Sequence, residues 1–308
     1  MPGGAVSSVG SSLPAGSGEG PAALVQAGWV PSRSGPSHRA ELVTQWLSGE
    51  TLDVLEESEG DWLRCRGPDG YVGWSSAGGL RRVHRWEADE WNERACVRSL
   101  GARLRISGQV RGIRSTRPVE GDEGPGRGGP DLSVRLPWGA RLQPEGVGFR
   151  LADGSHALPD APGRLVGPGE RARLFPASGP SVVSTAARWL NVPYVWGGRT
   201  EWGVDCSGFV QAVFSVHGVE LPRDSCMQRE CGEDLPLRPE ADEGFGPGEL
   251  LFFAPEGRGI THVAISAGAG RILHAAASNG VVLVEAPWET GARAKHLRDS
   301  LVARTRLV

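Results

Sequence analysis

The sequence predicts an α+β protein: a C-terminal unit built on a helix-start cysteine and an antiparallel hairpin, preceded by one or two small β-barrels. Three observations carry this class. A helical apolar period begins at Cys206, two strand-like runs bearing His262 and His274 flank a glycine-rich turn, and short strand-like runs separated by turn signals fill residues 24–82.

In chain order, residues 1–23 are small, polar and rich in glycine and serine, which predicts a disordered tail. The first 20 lack the basic start and apolar core of a secretory leader, and no apolar run approaches the roughly 18 residues of a spanning helix. The expectation is a cytoplasmic protein that does not insert into membranes, with the cell envelope as the alternative. Residues 24–84 carry the runs Glu41–Gln45, Thr51–Leu55, Trp62–Arg66 and Gly70–Trp74, separated by Glu59-Gly60-Asp61 and Pro68-Asp69-Gly70. A small barrel with Trp46, Trp62 and Trp74 in its core is expected. Within 85–178, the Gly/Arg/Pro-rich stretch 111–130 reads as a surface loop, and Val134–Leu142 with Gly148–Leu151 as strands of a second, degenerate barrel. The last unit, 179–308, opens with a helix from Ser181 that stops before Pro193.

Within that unit, Phe209, Val210, Val213 and Phe214 follow Cys206 at helical spacing and Gly218 supplies a left-handed stop. Cys206 therefore lies in the first turn, where free N–H groups and the helix dipole favour a thiolate and cysteine pKa values can fall from about 8.5 into roughly 3.5–7.5. Downstream, Ile260–Ser266 and Arg271–Ala275 read as a hairpin around Gly268-Ala269-Gly270. If Ala267 and Arg271 close the turn, Ala264 faces His274 and His262 becomes its diagonal neighbour on the same face. Such a pair suits a base, His262, oriented by a third group, His274.

Composition excludes more than it assigns. The 308 residues hold 33 basic and 36 acidic side chains, so there is no nucleic-acid footprint. Five cysteines argue against a disulfide framework. Cys226 and Cys231 are the only close pair; without a second pair they read as reduced thiols, and no metal or cofactor is expected.

Six segments together resemble the NlpC-type papain-like cysteine peptidases of bacterial cell-wall metabolism. They are Pro193–Gly198, Gly203–Gln211, Leu221–Ser225, Gly248–Phe253, His262-Val263 and Ile272–Ala275, in the family's order. Glu249 stands where the family usually has aspartate, keeping the charge. The resemblance implies a papain-like catalytic domain with Cys206 as nucleophile, His262 as base, His274 as orienting residue and Tyr194 beside the oxyanion. It implies cleavage after γ-linked D-glutamate, before the diamino acid. Asp69-Gly70-Tyr71-Val72-Gly73-Trp74 is similar to bacterial SH3 domains, and the domain order resembles dipeptidyl-peptidase-VI-like enzymes acting on free murein peptides. By that likeness Glu41, Tyr71 and Asp205 would meet the L-alanine ammonium, and Ser207 and Ser225 the D-glutamate; the alternatives are a solvated strand end for Glu41, a core aromatic for Tyr71 and a helix cap before Cys226 for Ser225. The partner expected is the peptide L-Ala-γ-D-Glu-diamino acid, in cell-wall recycling. The rivals are an exported endopeptidase acting on intact wall, a catalytically silent module that binds wall fragments, and acyl transfer or amidase chemistry on another amide.

Overall fold

The computed structural model describes residues 20–107, 132–161, 164–237 and 245–308. The tail over 1–19 and the loop over 111–130 lie outside the described residues. Seven strands make the first sheet: β1 Ala22–Val25, β2 Trp29–Arg33, β3 Leu42–Leu47, β4 Thr51–Ser58, β5 Trp62–Arg66, β6 Val72–Ser76 and β7 Leu80–Val83. Their inward positions alternate along each strand and bury Val30, Trp46, Leu52, Leu63 and Cys65. Trp46 is fully buried, donates its indole N–H to Ser75 Oγ at 3.0 Å and lies over Gly67, where a Cβ would come within 2.3 Å of the ring. Trp62 is buried as expected and packs against His38, outside the central cluster that holds Trp46, while Trp74 is half-buried.

Helix α1, Arg85–Arg94, was not foreseen in the sequence. It opens with a reciprocal cap between His84 and Glu87. It buries Ala88 and Trp91, with the Trp91 indole donating to Gly49 O at 2.8 Å. The second sheet follows: β8 Val97–Ser99, β9 Arg103–Ser107, β10 Ser133–Arg135, β11 Arg141–Glu145, β12 Gly148–Arg150, β13 His156–Pro159 and β14 Leu165–Val166. The strand order across the first sheet is β3-β2-β6-β5-β4-β1-β7, and across the second β10-β9-β13-β12-β11-β8-β14. Position for position the two orders are identical.

The C-terminal unit contains α2 Pro168–Leu174, α3 Gly179–Ala187, β15 Arg199–Thr200, β16 Gly203–Val204, α4 Cys206–Val216 and α5 Ser225–Gln228. Then come β17 Glu233–Asp234, β18 Leu250–Phe253, β19 His262–Gly268, β20 Arg271–Ala276, β21 Val281–Glu285, α6 Ala292–Ser300 and β22 Leu301–Arg306. An antiparallel sheet of order β17-β22-β18-β19-β20-β21 is covered on one face by α3 and α4 and on the other by α6. Apolar side chains on both sides of the helix bury α4 against Trp189, Phe252 and Val263, and Gly218 (φ +83°) ends that segment. Among the described residues no helix is long and apolar enough to cross a membrane.

The β19–β20 turn closes one residue later than the sequence reading placed it, at Gly268 with Arg271. A bulge between Ser266 and Gly268 restores Ile265 opposite Leu273, so the register reaching the histidines is the one expected.

Candidate active site

Two glycine contacts fix where α4 begins. A Cβ on Gly208 would lie 2.1 Å from Gly198 O, and one on Gly198 would lie 2.4 Å from Gly203 O, so the Gly197-Gly198 turn can press directly on the helix start. Asp205 caps the helix, accepting from Gly208 N at 2.7 Å, and ties in the turn by accepting from Gly197 N at 2.9 Å. Cys206, the first helical residue, is buried.

Behind the thiol, hydrogen bonds run across three neighbouring strands. His262 Nε2 on β19 is 2.7 Å from His274 Nδ1 on β20, and His274 Nε2 is 2.8 Å from Glu285 Oε2 on β21. Arg293 of α6 donates to both Glu285 oxygens, its Nη2 at 2.6 Å from Oε2, and its Nη1 reaches Ser278 Oγ at 2.6 Å. His274 is fully buried. Since His262 Nε2 is committed to His274, Nδ1 is the nitrogen left for a thiol.

The protonation states run opposite to the helix-start expectation. Burial and the Asp205 carboxylate push the Cys206 thiol up to about 12, against the backbone amides of Val263 and Ser207 and the Arg223 guanidinium. Burial, His274 and Arg293 hold His262 down at about 3, with Glu285 opposing. The resting pair is neutral. Burial raises the Tyr194 phenol, with Cys206 and Asp205 adding to the rise, which places its hydroxyl in the field of the thiol.

On the other side of Cys206, Arg223 organises the pocket. Fully buried, it donates Nη1 to Asp205 Oδ1 at 3.0 Å and to Ser207 Oγ at 2.8 Å, Nη2 to Asp205 Oδ2, and Nε to Thr44 Oγ1 of the first barrel at 3.0 Å. Asp205 thus accepts from Gly197, Ser207, Gly208 and Arg223, leaving no lone pair for the ammonium it was expected to meet. Asp224 is the neighbouring carboxylate. It is half-buried, has no ion-pair partner among the described residues, and lies close enough to Tyr71 that its charge, after burial itself, is the chief influence raising the phenol. Burial, Asp205 and Asp69 raise Asp224, with Arg223 opposing.

Of the other expected residues, Tyr71 is half-buried and faces this carboxylate group, and Ser207 is buried on Arg223. Ser225 is buried as the first residue of α5, whose N-cap is Asp224, so the alternative reading of Ser225 as the cap is corrected. Glu41 is exposed just before β3; Leu42 beside it packs its backbone against Gly197, which puts Glu41 at the rim. Glu249 is buried and accepts from Arg306 at 3.0 Å with Arg304 at 3.3 Å, a structural pairing away from the thiol. Arg223, Asp224, Glu285 and Arg293 were missed as site residues. Arg223 and Asp224 lay inside the quoted Leu221–Ser225 segment, and the parity of β21 places Glu285 on the His274 face.

Residues 191–299 match the NlpC/P60 family, and residues 32–78 match the bacterial dipeptidyl-peptidase SH3 domain. A Bacillus subtilis γ-D-glutamyl-L-lysine dipeptidyl-peptidase is 41% identical over 95 residues, which are 30% of this chain and 30% of that protein. That stretch spans under a third of the relative's length. Dipeptidyl-peptidase 6 of Lysinibacillus sphaericus is 27% identical over 254 residues, covering 81% of this chain and 85% of that protein. The fold matches a crystal structure of an NlpC/P60 family protein from Bacillus cereus with TM-score 0.72 and 19% identity, covering 92% of this chain and 99% of the other.

Proposed function

We propose that this chain, with its NlpC/P60 domain and its dipeptidyl-peptidase SH3 domain, is a cysteine peptidase that hydrolyses the bond between γ-D-glutamate and the diamino acid in peptidoglycan peptides carrying a free N-terminal L-alanine. The observation that carries the reading is how the first barrel reaches the surroundings of the helix-start cysteine: Thr44 is bonded to Arg223, whose charge acts on Cys206, and Tyr71 lies in the field of Asp224. A half-buried carboxylate beside a phenol suits a primary ammonium, because an unpaired charge there is costly. Names of relatives agree: γ-D-glutamyl-L-lysine dipeptidyl-peptidase in Bacillus subtilis and dipeptidyl-peptidase 6 in Lysinibacillus sphaericus.

In this mechanism His262 Nδ1 takes the thiol proton as Cys206 Sγ adds to the γ-carbonyl carbon. The backbone N–H of Cys206 and the Tyr194 hydroxyl then face the oxyanion, one such donor being worth about 10²–10³ in rate. Collapse breaks the C–N bond, His262 returns its proton to the leaving amine, and water resolves the thioester with His262 again as base. Asp205 acts through Arg223 and the helix cap, Ser207 and Ser225 line the D-glutamate side, and Glu41 lies at the ammonium rim. No metal or other cofactor enters these steps. The two seven-stranded units are read as a barrel at 24–84 and a degenerate second copy at 85–178, with the catalytic domain at 179–308. The place of action proposed is the cytoplasm, on free peptides released from the wall.

The test is mass spectrometry of products from L-Ala-γ-D-Glu-diaminopimelate, its N-acetylated form and intact sacculi, with wild type and Cys206→Ala. Cys206-dependent cleavage of the free tripeptide alone is expected. Equal cleavage of the acetylated peptide would overturn the ammonium reading, and turnover by Cys206→Ala would overturn the nucleophile.

A further inference from the structure

The hydrolysis scheme above gives Glu285 and Arg293 no role. Yet they end the hydrogen-bond chain that starts at His262, and the direction of that chain decides whether His262 can act. His274 is fully buried, with Nδ1 2.7 Å from His262 Nε2 and Nε2 2.8 Å from Glu285 Oε2. An ionised carboxylate can only accept, so the hydrogen on that side belongs to His274 Nε2. In a neutral ring Nδ1 is then the acceptor, and the hydrogen between the rings belongs to His262 Nε2. That leaves His262 Nδ1 bare, which is the state a base needs. With the chain reversed, His274 Nδ1 would donate, His262 Nε2 would accept, and Nδ1 would carry the hydrogen and could take no proton from the thiol.

We propose that Glu285, clamped by Arg293, is the positioning residue that sets the tautomers of both histidines and so makes His262 Nδ1 the base. Register builds the device into the sheet: His274 pairs with Leu283, so Glu285, two residues on, lies diagonally on the same face. Arg293 supplies the clamp from α6, bonding both carboxylate oxygens, and Ser278 anchors its third nitrogen. Burial alone would raise Glu285, but the hydrogen bonds from His274 and Arg293 outweigh it and hold the carboxyl at about 2, so the acceptor stays ionised through any working pH. The same negative charge steadies the imidazolium that forms when the thiol is deprotonated. The charged groups acting on the rings are Glu285 on β21 and Arg293 on α6.

The inference rests on the reading of His262 as base, and the test separates the two. Alkylation of Cys206 by iodoacetamide, resolved from the other cysteines by peptide mass mapping across pH 5–10, needs no substrate. It is measured for wild type, Glu285→Gln, Glu285→Asp, Arg293→Gln, His262→Ala, His274→Ala and the Glu285→Gln/His274→Ala double variant, with kcat and KM on the free tripeptide alongside. Glu285→Gln is expected to lower both kcat and the Cys206 alkylation rate near pH 7 about 10- to 100-fold, as loss of a partner that orients a histidine does elsewhere, with KM within about twofold. Glu285→Asp should recover most of the loss. Arg293→Gln, at a partly exposed site, should shift both rates the same way by a smaller factor. In the His274→Ala background Glu285→Gln should add less than about twofold. A wild-type alkylation profile in Glu285→Gln and Arg293→Gln, or an undiminished loss in the His274→Ala background, would overturn the inference. If His262→Ala itself leaves Cys206 alkylation unchanged, it is the base assignment that fails.

Discussion

A thiol at a helix start gains from the dipole, but Cys206 is buried beside the Asp205 carboxylate, and those two effects hold it protonated up to about 12. His262, held at about 3, is neutral in the same range. The free protein should therefore show no thiolate at neutral pH. A 240 nm titration of wild type minus Cys206→Ser should be flat from pH 5 to 9, and a thiolate step in that range would refute the neutral pair. The sign for stability follows from each shift. Cys206 rises from 9.0 on folding, so its contribution is complete below about pH 9 and is lost as pH climbs towards 12. His262 falls from 6.5, so its contribution is complete above that value and is lost as pH drops towards 3. Neither direction could be read from the sequence, because helix position is local whereas desolvation comes from Val263, Phe209 and the packed sheet.

Glycines at contact points between elements set the geometry that puts the thiol in place. A Cβ at Gly208 would meet the Gly198 carbonyl at 2.1 Å, and both partners are backbone, so one element must move. Gly208→Ala should cost about 1–3 kcal/mol, as overpacking does, and reduce kcat well over tenfold by shifting Cys206. Gly218→Ala serves as the comparison: its φ of +83° is strained for alanine but the space is open, so about 1 kcal/mol and unchanged kcat are expected from denaturant melts and steady-state rates. Similar losses of kcat at both sites would refute the packing argument. At this scale much was legible. The 3.6-residue period of Phe209, Val210, Val213 and Phe214 gave the helix its place, and strand parity set the two histidines on one face even though the turn closes at Gly268 instead of Ala267. Illegible were charged residues whose partners lie on other elements. Arg223 joins Asp205 and Thr44, and Glu285 joins His274 and Arg293; strand parity could put Glu285 on the His274 face, but nothing local names the partners on other elements.

The contacts of Thr44 with Arg223 and of Tyr71 with Asp224 depend on how the first barrel is oriented to the C-terminal unit, and a buried ion pair joins the two. Arg199 Nη2 is 3.1 Å from Glu50 Oε1, its Nη1 donates to Gln45 O at 2.8 Å, and its backbone N donates to Gln45 Oε1 at 2.8 Å. Glu50 also accepts from Leu47 N at 2.8 Å. The second seven-stranded sheet is tied in separately, by the Trp138 indole on Ala212 O at 3.1 Å, Trp138 N on Glu201 Oε2 at 2.9 Å and Arg141 N on Ser48 O at 2.8 Å. Removing one partner of a buried pair costs about 3–5 kcal/mol, because the guanidinium left behind is uncompensated. Glu50→Ala should therefore split a single calorimetric transition into two, as the first barrel uncouples from the rest. Since Tyr71 and Thr44 ride on that barrel while Cys206, His262 and His274 do not, KM for the free tripeptide should rise by more than kcat falls, and the preference over the acetylated peptide should shrink. A variant that keeps one transition and an unchanged KM would show that the barrel's orientation is held by the Arg223–Thr44 and Trp138 contacts without the Glu50 pair.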